Sequence, residues 1–373
     1  MTLAETTRHR IIPYAYGGIH ALVDASTVTT VFGAIALADV DPGEAFAFIL
    51  GYDLLAFATQ VLWGPLVDRF RLSRLVTLVG LVTTAVGLLV TGLDPTLAMV
   101  VAGLGNALFH VGAGAAALSV DPGRASAPGI FVGPGALGLA VGLFLGRSGE
   151  VPTVPFVLGL ALAAGVVALL GNVRPPEALS KPRPAPSAAS VIATLLLVSI
   201  AIRAFVGMAG CHACPKLDWL PWAMATAACL GKVSGGVIAD RIGWARASVG
   251  ALVVSAPLIA FGSGTPAAMV IGMFLFQMTM PVTLVALHVL WPRLPGFAFG
   301  LACVALVAGA LLTSLPGAQV FYGAWPFLAL ILVSAAGLWA ALHLLKQTPA
   351  KAVAKAVGRP ARPPDAPHEL RLE

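Results

Sequence analysis

Twelve apolar stretches, each long enough to make a membrane helix, dominate this sequence. They read as 11–38, 45–67, 74–93, 96–119, 127–146 and 152–171, then 190–210, 217–239, 246–263, 267–290, 297–316 and 325–345. A bilayer-spanning helix needs about 20 mostly apolar residues. Only 10% of the 373 residues are charged, against roughly a quarter in ordinary soluble domains, so a soluble globular fold is excluded. Disorder is excluded as well, because it needs low hydrophobicity and high net charge. The expected class is an all-α integral membrane protein with twelve transmembrane helices.

The net charge of +6 invites a nucleic-acid partner until the charges are placed. Arg69, Arg71 and Arg74 share one loop; Arg174, Lys181 and Arg183 share another; Arg241 and Arg246 lie in a third. The C-terminal segment holds Lys346, Lys351, Lys355, Arg359, Arg362 and Arg371, while the alternate loops carry Asp39, Asp41, Glu44 and Asp94. This is the positive-inside asymmetry of a membrane protein. It predicts cytoplasmic termini and a lipid partner rather than a nucleic acid, and a bacterial inner membrane is the expected location. Met1 to Arg10 is polar and lacks the pattern of a secretory leader.

The stretch 172–189 holds Pro175, Pro176, Pro182, Pro184 and Pro186, a composition that suits a solvated linker. It divides the chain into an N-terminal six-helix bundle (1–171), a cytoplasmic linker (172–189), a C-terminal six-helix bundle (190–346) and a disordered cytoplasmic tail (347–373). The two bundles repeat. Gly64, Asp68, Arg69 and Arg74 recur at the same spacing as Gly236, Asp240, Arg241 and Arg246. Ile19–Val23 aligns with Ile202–Val206, pairing His20 with Arg203, and Leu108–His110 aligns with Leu275–Gln277. Two similar bundles related by an axis along the membrane normal form one of the transporter repeat architectures.

The duplicated G-x-x-x-D-R-x-x-x-x-R pattern resembles the signature loop of the major facilitator superfamily. The first copy carries Arg71 where glycine is usual, and the second conforms with Gly243. Gly129-Ile-Phe-Val-Gly133-Pro134 partly resembles that family's antiporter motif, with Gly138 one step later than expected. His20-Ala-Leu-Val-Asp24 and Gly103-Leu-Gly105-Asn106-Ala-Leu-Phe109-His110 look like elements of its fosmidomycin-resistance-type efflux branch, although Val111 and Gly112 replace the proline and acid typical there. The resemblance implies a monomeric secondary transporter and efflux of a small molecule. It also implies a charge-based inner gate formed by Asp68, Arg69, Arg74, Asp240, Arg241 and Arg246.

Ionisable side chains at bilayer depth are costly and face cavities or partners. Those inside the spans are His20, Asp24, Asp53, His110, Arg203 and Lys232, with His288 and His343 near helix ends; all six glutamates fall outside. Asp24 and Asp53 are therefore the candidate coupling carboxylates. His20 stands four residues before Asp24 and shares its helix face, which makes the pair a candidate proton-coupling site, with a purely structural bond as the alternative. Candidate substrate contacts are His20, Asn106, His110, Arg203 and Gln277. Arginine stays charged and presents a planar fork to acidic groups, so Arg203 either holds an anionic solute or pairs with an aspartate. Lys232 reads as a snorkelling lysine near the helix end, with a polar lining as the alternative because Gln60 occupies the same place in the first half.

Cys211, His212 and Cys214 offer zinc-competent atoms but lack a second ligand pair, so an incidental outer-loop cluster or a disulfide is the first reading and a metal the alternative. No phosphate-binding G-x-x-x-x-G-K-[ST] loop exists in the chain, which leaves an ATP-driven pump unsupported. No hydrolase signature points to an enzyme, and no cofactor is expected. The sequence thus favours proton-coupled efflux of a small solute by antiport, with uptake of an anionic solute as the alternative and metal handling as a third possibility.

Overall fold

The computed structural model describes residues 3–173, 185–211 and 215–357. Among these residues the regular structure is helical throughout, and twelve helices are long and apolar enough to cross a membrane. We number them α1 (His9–Leu37), α2 (Pro42–Phe70), α3 (Ser73–Val90), α4 (Pro95–Val120), α5 (Ser126–Arg147) and α6 (Thr153–Leu170). The second six are α7 (Pro186–Gly210), α8 (Leu220–Ile242), α9 (Trp244–Phe261), α10 (Pro266–Leu290), α11 (Pro295–Ser314) and α12 (Ala324–Gln347). The apolar surface faces outward, with Leu62, Leu162, Leu169 and Trp325 among the strongly exposed side chains. An integral membrane protein presents such a surface to lipid. Residues 174–184 of the expected linker and 358–373 of the expected tail lie outside the described residues. The last helix continues to Val357, beyond the expected boundary at 346, because alternating Ala and Lys or Val at 350–357 forms helix readily.

Three helices are broken at identifiable points. A π-helical turn, Leu54–Ala58, interrupts α2. Gly133 and Pro134 divide α5 into Ser126–Val132 and Gly135–Arg147. In α10 the break falls between Gln277 and Met280, just ahead of Pro281. Proline removes a backbone donor and crowds the preceding turn, and a π-turn inserts an extra residue.

Within each bundle, equivalent helices pack through glycine. A Cβ on Gly138 of α5 would collide with the Ala21 carbonyl of α1, and one on Gly309 of α11 would collide with the Ala201 carbonyl of α7. This packing register pairs Ala21 with Ala201, whereas the sequence alignment pairs it with Ala204. The difference of three residues is about one helical turn, so His20 and Arg203 hold similar faces at different depths. Between the bundles α2 packs on α11 and α5 on α8. A Cβ on Gly129 would stand 2.7 Å from the Lys232 carbonyl oxygen, and one on Gly300 would stand 2.7 Å from that of Gln60. Lys232 and Gln60 are the repeat-related residues, so the interface obeys the same pseudo-symmetry as the sequence.

Arg71 closes α2 with φ 56°, and its counterpart Gly243 closes α8 with φ 97°. The signature loop therefore needs a left-handed residue in both copies, which glycine adopts without strain and other residues adopt at about 1 kcal/mol. The Arg71→Gly variant should unfold at a higher temperature than the parent in detergent, and Gly243→Ala at a lower one. A thermal melt in which Arg71→Gly gains nothing would refute this origin of the departure.

Candidate functional site

The polar interior of the first bundle is concentrated where α1, α2, α4 and α5 meet. His20 and Asp24 lie one turn apart on α1, with His20 Nε2 3.0 Å from Asp24 Oδ2. From α4, His110 Nε2 stands 2.8 Å from His20 Nε2 and 3.5 Å from Asp24 Oδ1. Each imidazole is anchored at its other nitrogen: His20 Nδ1 donates to the Phe131 carbonyl at 2.9 Å, and His110 Nδ1 donates to the Asn106 carbonyl at 2.9 Å. Asn106 Nδ2 reaches Asp24 Oδ1 at 3.2 Å, Thr27 Oγ1 at 3.2 Å and the Tyr52 hydroxyl at 3.1 Å. Thr27 and Tyr52 are themselves 3.0 Å apart. His20, Asn106 and His110 are buried. Gly135 seals the fourth side, since a Cβ there would collide with His20 Nε2 and lie 2.7 Å from Asp24 Oδ2.

Four residues singled out from the sequence, His20, Asp24, Asn106 and His110, thus come together. Thr27 and Tyr52 were missed, because a threonine and a tyrosine in an apolar run carry no charge to flag them. Asp53 is not part of the cluster: the helix turns about 100° per residue, so Tyr52 points inward while Asp53 faces elsewhere, without a hydrogen bond or ion pair among the described residues. Lys232 of α8 lies within electrostatic range of Asp24 and His110, which replaces the snorkelling reading with an inward one. Gln277 Nε2 bonds to Met273 Sδ at 3.6 Å and takes no part in the cluster.

Arg203 sits apart, in the second bundle. Its Nε donates to the Ser199 carbonyl at 3.2 Å, one terminal nitrogen to the Thr279 hydroxyl, and the other to the Thr283 hydroxyl at 3.2 Å. It pairs with neither Asp24 nor Asp53. Thr279 and Thr283 escaped sequence reading for the same reason as Thr27. His212, Cys214 and the side chain of Cys211 lie outside the described residues.

At one end of the protein each signature aspartate reaches across to the other bundle. Asp68 accepts from the Gly296 and Phe297 amides at the start of α11, at 2.8 and 2.9 Å. Asp240 accepts from the Ala125 and Ser126 amides at the start of α5, at 2.8 and 2.9 Å. The first amides of a helix have no partner within it, and a carboxylate there also meets the positive end of the helix dipole. Arg124, unmarked in the sequence, adds contacts of 3.6 Å to both Asp121 and Asp240. Partial burial pushes the Asp121 carboxyl above the usual carboxylate range; Arg124 opposes this and Asp240 reinforces it. The motif arginines stand aside: Arg74 donates to the Ala168 carbonyl of α6 at 2.6 Å, Arg69 lies over Phe70, and Arg241 and Arg246 are exposed.

The overall fold resembles that of solved transporter structures. The E. coli fucose:proton symporter superposes with a TM-score of 0.68 at 10% identity, covering 91% of this chain and 99% of its own. The human organic anion transporter MFSD10 gives 0.65 at 15% identity, with 91% and 99% covered. A bacterial homologue of the iron transporter ferroportin, in an outward-facing state, gives 0.52 at 15% identity, with 90% and 99% covered. The fold is that of the major facilitator superfamily. No family model and no curated protein matches the sequence itself.

Because Gly135 leaves no space beside the His20–Asp24 pair, Gly135→Ala should displace the pair and destabilise the protein by about 1–3 kcal/mol. Gly18, with nothing within 4 Å of its position for a Cβ, is the control, and Gly18→Ala should leave the melting temperature within about 0.5 kcal/mol equivalent of the parent. Equal melting behaviour of the two variants would contradict the packing.

Proposed function

We propose that this protein is a secondary active transporter that moves a small solute by alternating access. The observation that carries the reading is the matched pair of carboxylate-to-amide contacts, one from each bundle, closing a single end of the molecule. Each is a contact that a rocking motion of one bundle against the other would break and remake without unfolding either. The arginine-rich loops lie at the same end, so this is the cytoplasmic face under the positive-inside rule, with the protein closed toward the cytoplasm. Asp68 and Asp240 are gating residues on this reading, and Arg124 assists Asp240. Arg69, Arg74, Arg241 and Arg246 hold the surrounding loops and the lipid headgroups.

Transport is proton-coupled through the His20–Asp24–His110 cluster. A carboxylate and two imidazoles in mutual contact inside the membrane form a group whose charge changes by one with a single proton. Asn106 borders the solute path: its Oδ1 is buried without a hydrogen-bond partner, an acceptor left for a solute donor. Efflux of a small organic compound follows the sequence resemblance. Uptake of an anionic solute is the second reading, favoured by Lys232, whose ammonium has no hydrogen-bond acceptor among the described residues. Arg203 is the less suitable anion ligand, because three of its donors are already committed to α7 and α10.

The experiment begins with a panel of small organic cations, neutrals and anions screened by thermal shift on purified protein, since a ligand of the native state raises its apparent stability. The solutes that bind are then carried into proteoliposome transport. Asp24→Asn should keep ligand-induced stabilisation and lose accumulation driven by a pH gradient, while Asp53→Asn should retain most of it. If Asp24→Asn accumulates solute as well as the parent, coupling lies elsewhere. Asp68→Asn weakens one latch, whose charged hydrogen bonds are worth about 1.5–3 kcal/mol each. It should slow turnover while leaving affinity within a few fold; a fall in binding equal to the fall in transport would contradict a gating role.

A further inference from the structure

The two histidines of the cluster are fixed in an unusual way. A backbone carbonyl only accepts, so the Phe131 and Asn106 carbonyls require a hydrogen on Nδ1 of His20 and of His110 respectively. A neutral imidazole carries one N–H. Both Nε2 atoms would then be bare lone pairs, yet they face each other at 2.8 Å and Asp24 oxygens at 3.0 and 3.5 Å. Four acceptor atoms at these distances repel one another unless a cation lies among them. Among the described residues the one hydrogen-bond donor reaching the group from outside is Asn106 Nδ2, and it points to Asp24 Oδ1. A tetrahedral zinc, with Zn–N near 2.0–2.1 Å, would hold its nitrogens about 3.3 Å apart, wider than the observed 2.8 Å. The spacing is that of a hydrogen bond between nitrogens.

We infer that the coupling proton is shared between Nε2 of His20 and Nε2 of His110, with Asp24 as its counter-charge, so that His110 is a proton carrier rather than part of the solute lining. This rests on the proton-coupled reading above and names the atoms that would serve it. In the loaded state one imidazolium donates to the other imidazole and to the carboxylate, and the cluster is neutral. Release of the proton to water on the far side leaves a net charge of −1 and an unscreened pair of lone pairs, which favours separation of α1 from α4. The other titratable groups facing the cluster are Tyr52 from α2, through Asn106, and Lys232 from α8; Asp53 lies beyond Tyr52 and Cys229 beside Lys232.

The anchoring carbonyl links this proton to motion. Phe131 belongs to the short first piece of α5, which packs on α8 of the other bundle. A Cβ on Gly133, beside it, would stand 2.6 Å from Val233 Cγ2 and 2.9 Å from the Cys229 carbonyl. The second piece of α5 packs chiefly on α1, through Gly138 and Gly142, and also meets α8 where Phe144 lies against Trp222. A shift of α8 therefore bears on the segment that fixes the His20 tautomer.

The test is pH-difference infrared spectroscopy on the purified full-length protein after EDTA treatment, comparing the parent with His20→Gln, His110→Gln and Asp24→Asn. The parent should show imidazolium ring bands on acidification and no carboxylic-acid band belonging to Asp24. Either histidine variant should lose the shared signal, and Asp24→Asn should keep it at lower pH. A protonated-acid band in the parent that disappears in Asp24→Asn overturns the inference, and needs no histidine variant to fold. So does a signal lost in only one histidine variant, or one that zinc added at stoichiometric amounts produces and EDTA abolishes. Imidazolium bands without pH-driven accumulation of any bound solute would sink the proton-coupled reading instead; accumulation without those bands would sink this inference alone.

Discussion

Backbone-to-backbone contact between α5 and α1 underlies the rest of the first bundle. In a bilayer the lipid is as apolar as the helix surface, so helices associate through close packing and interhelical hydrogen bonds. Gly135, Gly138, Gly142 and Gly146 form one face of α5, and a Cβ on any of them would strike α1. That approach brings the Phe131 carbonyl within reach of His20 and puts Gly135 against the His20–Asp24 pair. Were α5 held off by one methyl layer, His20 would lose its anchor, and the half-buried Asp24 carboxylate would lose the neighbour that most directly balances it. The polar cluster is thus a consequence of a stripe with no side chains.

A second constraint links the cluster to the interface. The two α5 pieces touch both α1 and α8 with different emphasis: Asp240 and close packing at Gly129 and Gly133 hold the first to α8, and Gly135, Gly138, Gly142 and Gly146 hold the second to α1. The break at Gly133–Pro134 separates the two pieces, because the ring of Pro134 and its missing donor interrupt the helical hydrogen-bond ladder. The interface is repeated at α2 and α11, where Asp68, Gly64 and Gly300 make the equivalent contacts. The two copies differ in one respect: Arg124 supports the Asp240 latch, and its repeat equivalent beside Asp68 is Pro295. One latch therefore carries a compensating cation and the other does not.

The twelve helices were legible because continuous apolar runs leave the backbone no other way to satisfy its hydrogen bonds in lipid. The latching aspartates were legible because the motif is written twice at the same spacing. Their partners were not, since the donors to those carboxylates are backbone amides at Gly296, Phe297, Ala125 and Ser126, which no residue type announces. Gly138 looked one step late against the motif, yet it is the residue that meets the Ala21 carbonyl. Lys232 was misread because position along a helix gives depth and says little about direction. Asp53 was marked by charge alone, and it is its neighbour Tyr52, ahead of the π-turn, that joins the cluster. The cluster itself was half visible, as four ionisable or amide residues in two motifs, with its hydroxyls and anchoring carbonyls hidden among apolar sequence.

The two bundles put opposite chemistry at related places. In the first, α1 meets α4 through His20, Asp24 and His110, groups whose mutual attraction depends on a proton. In the second, α7 meets α10 through Arg203, a permanent cation bonded to Ser199, Thr279 and Thr283. An arginine fork held by hydroxyls keeps the same contacts whatever the pH near neutrality, so the α7–α10 joint does not respond to protons. A joint that loosens on losing a proton, set in a scaffold repeated almost throughout, breaks the symmetry of the repeat in chemistry while keeping it in packing. On the proposed reading this makes the first bundle the element that senses the proton and the second the rigid arm against which its movement is expressed. The Phe131 segment, anchored to α8 by Asp240 at its first residue and to His20 near its last, is where the two meet.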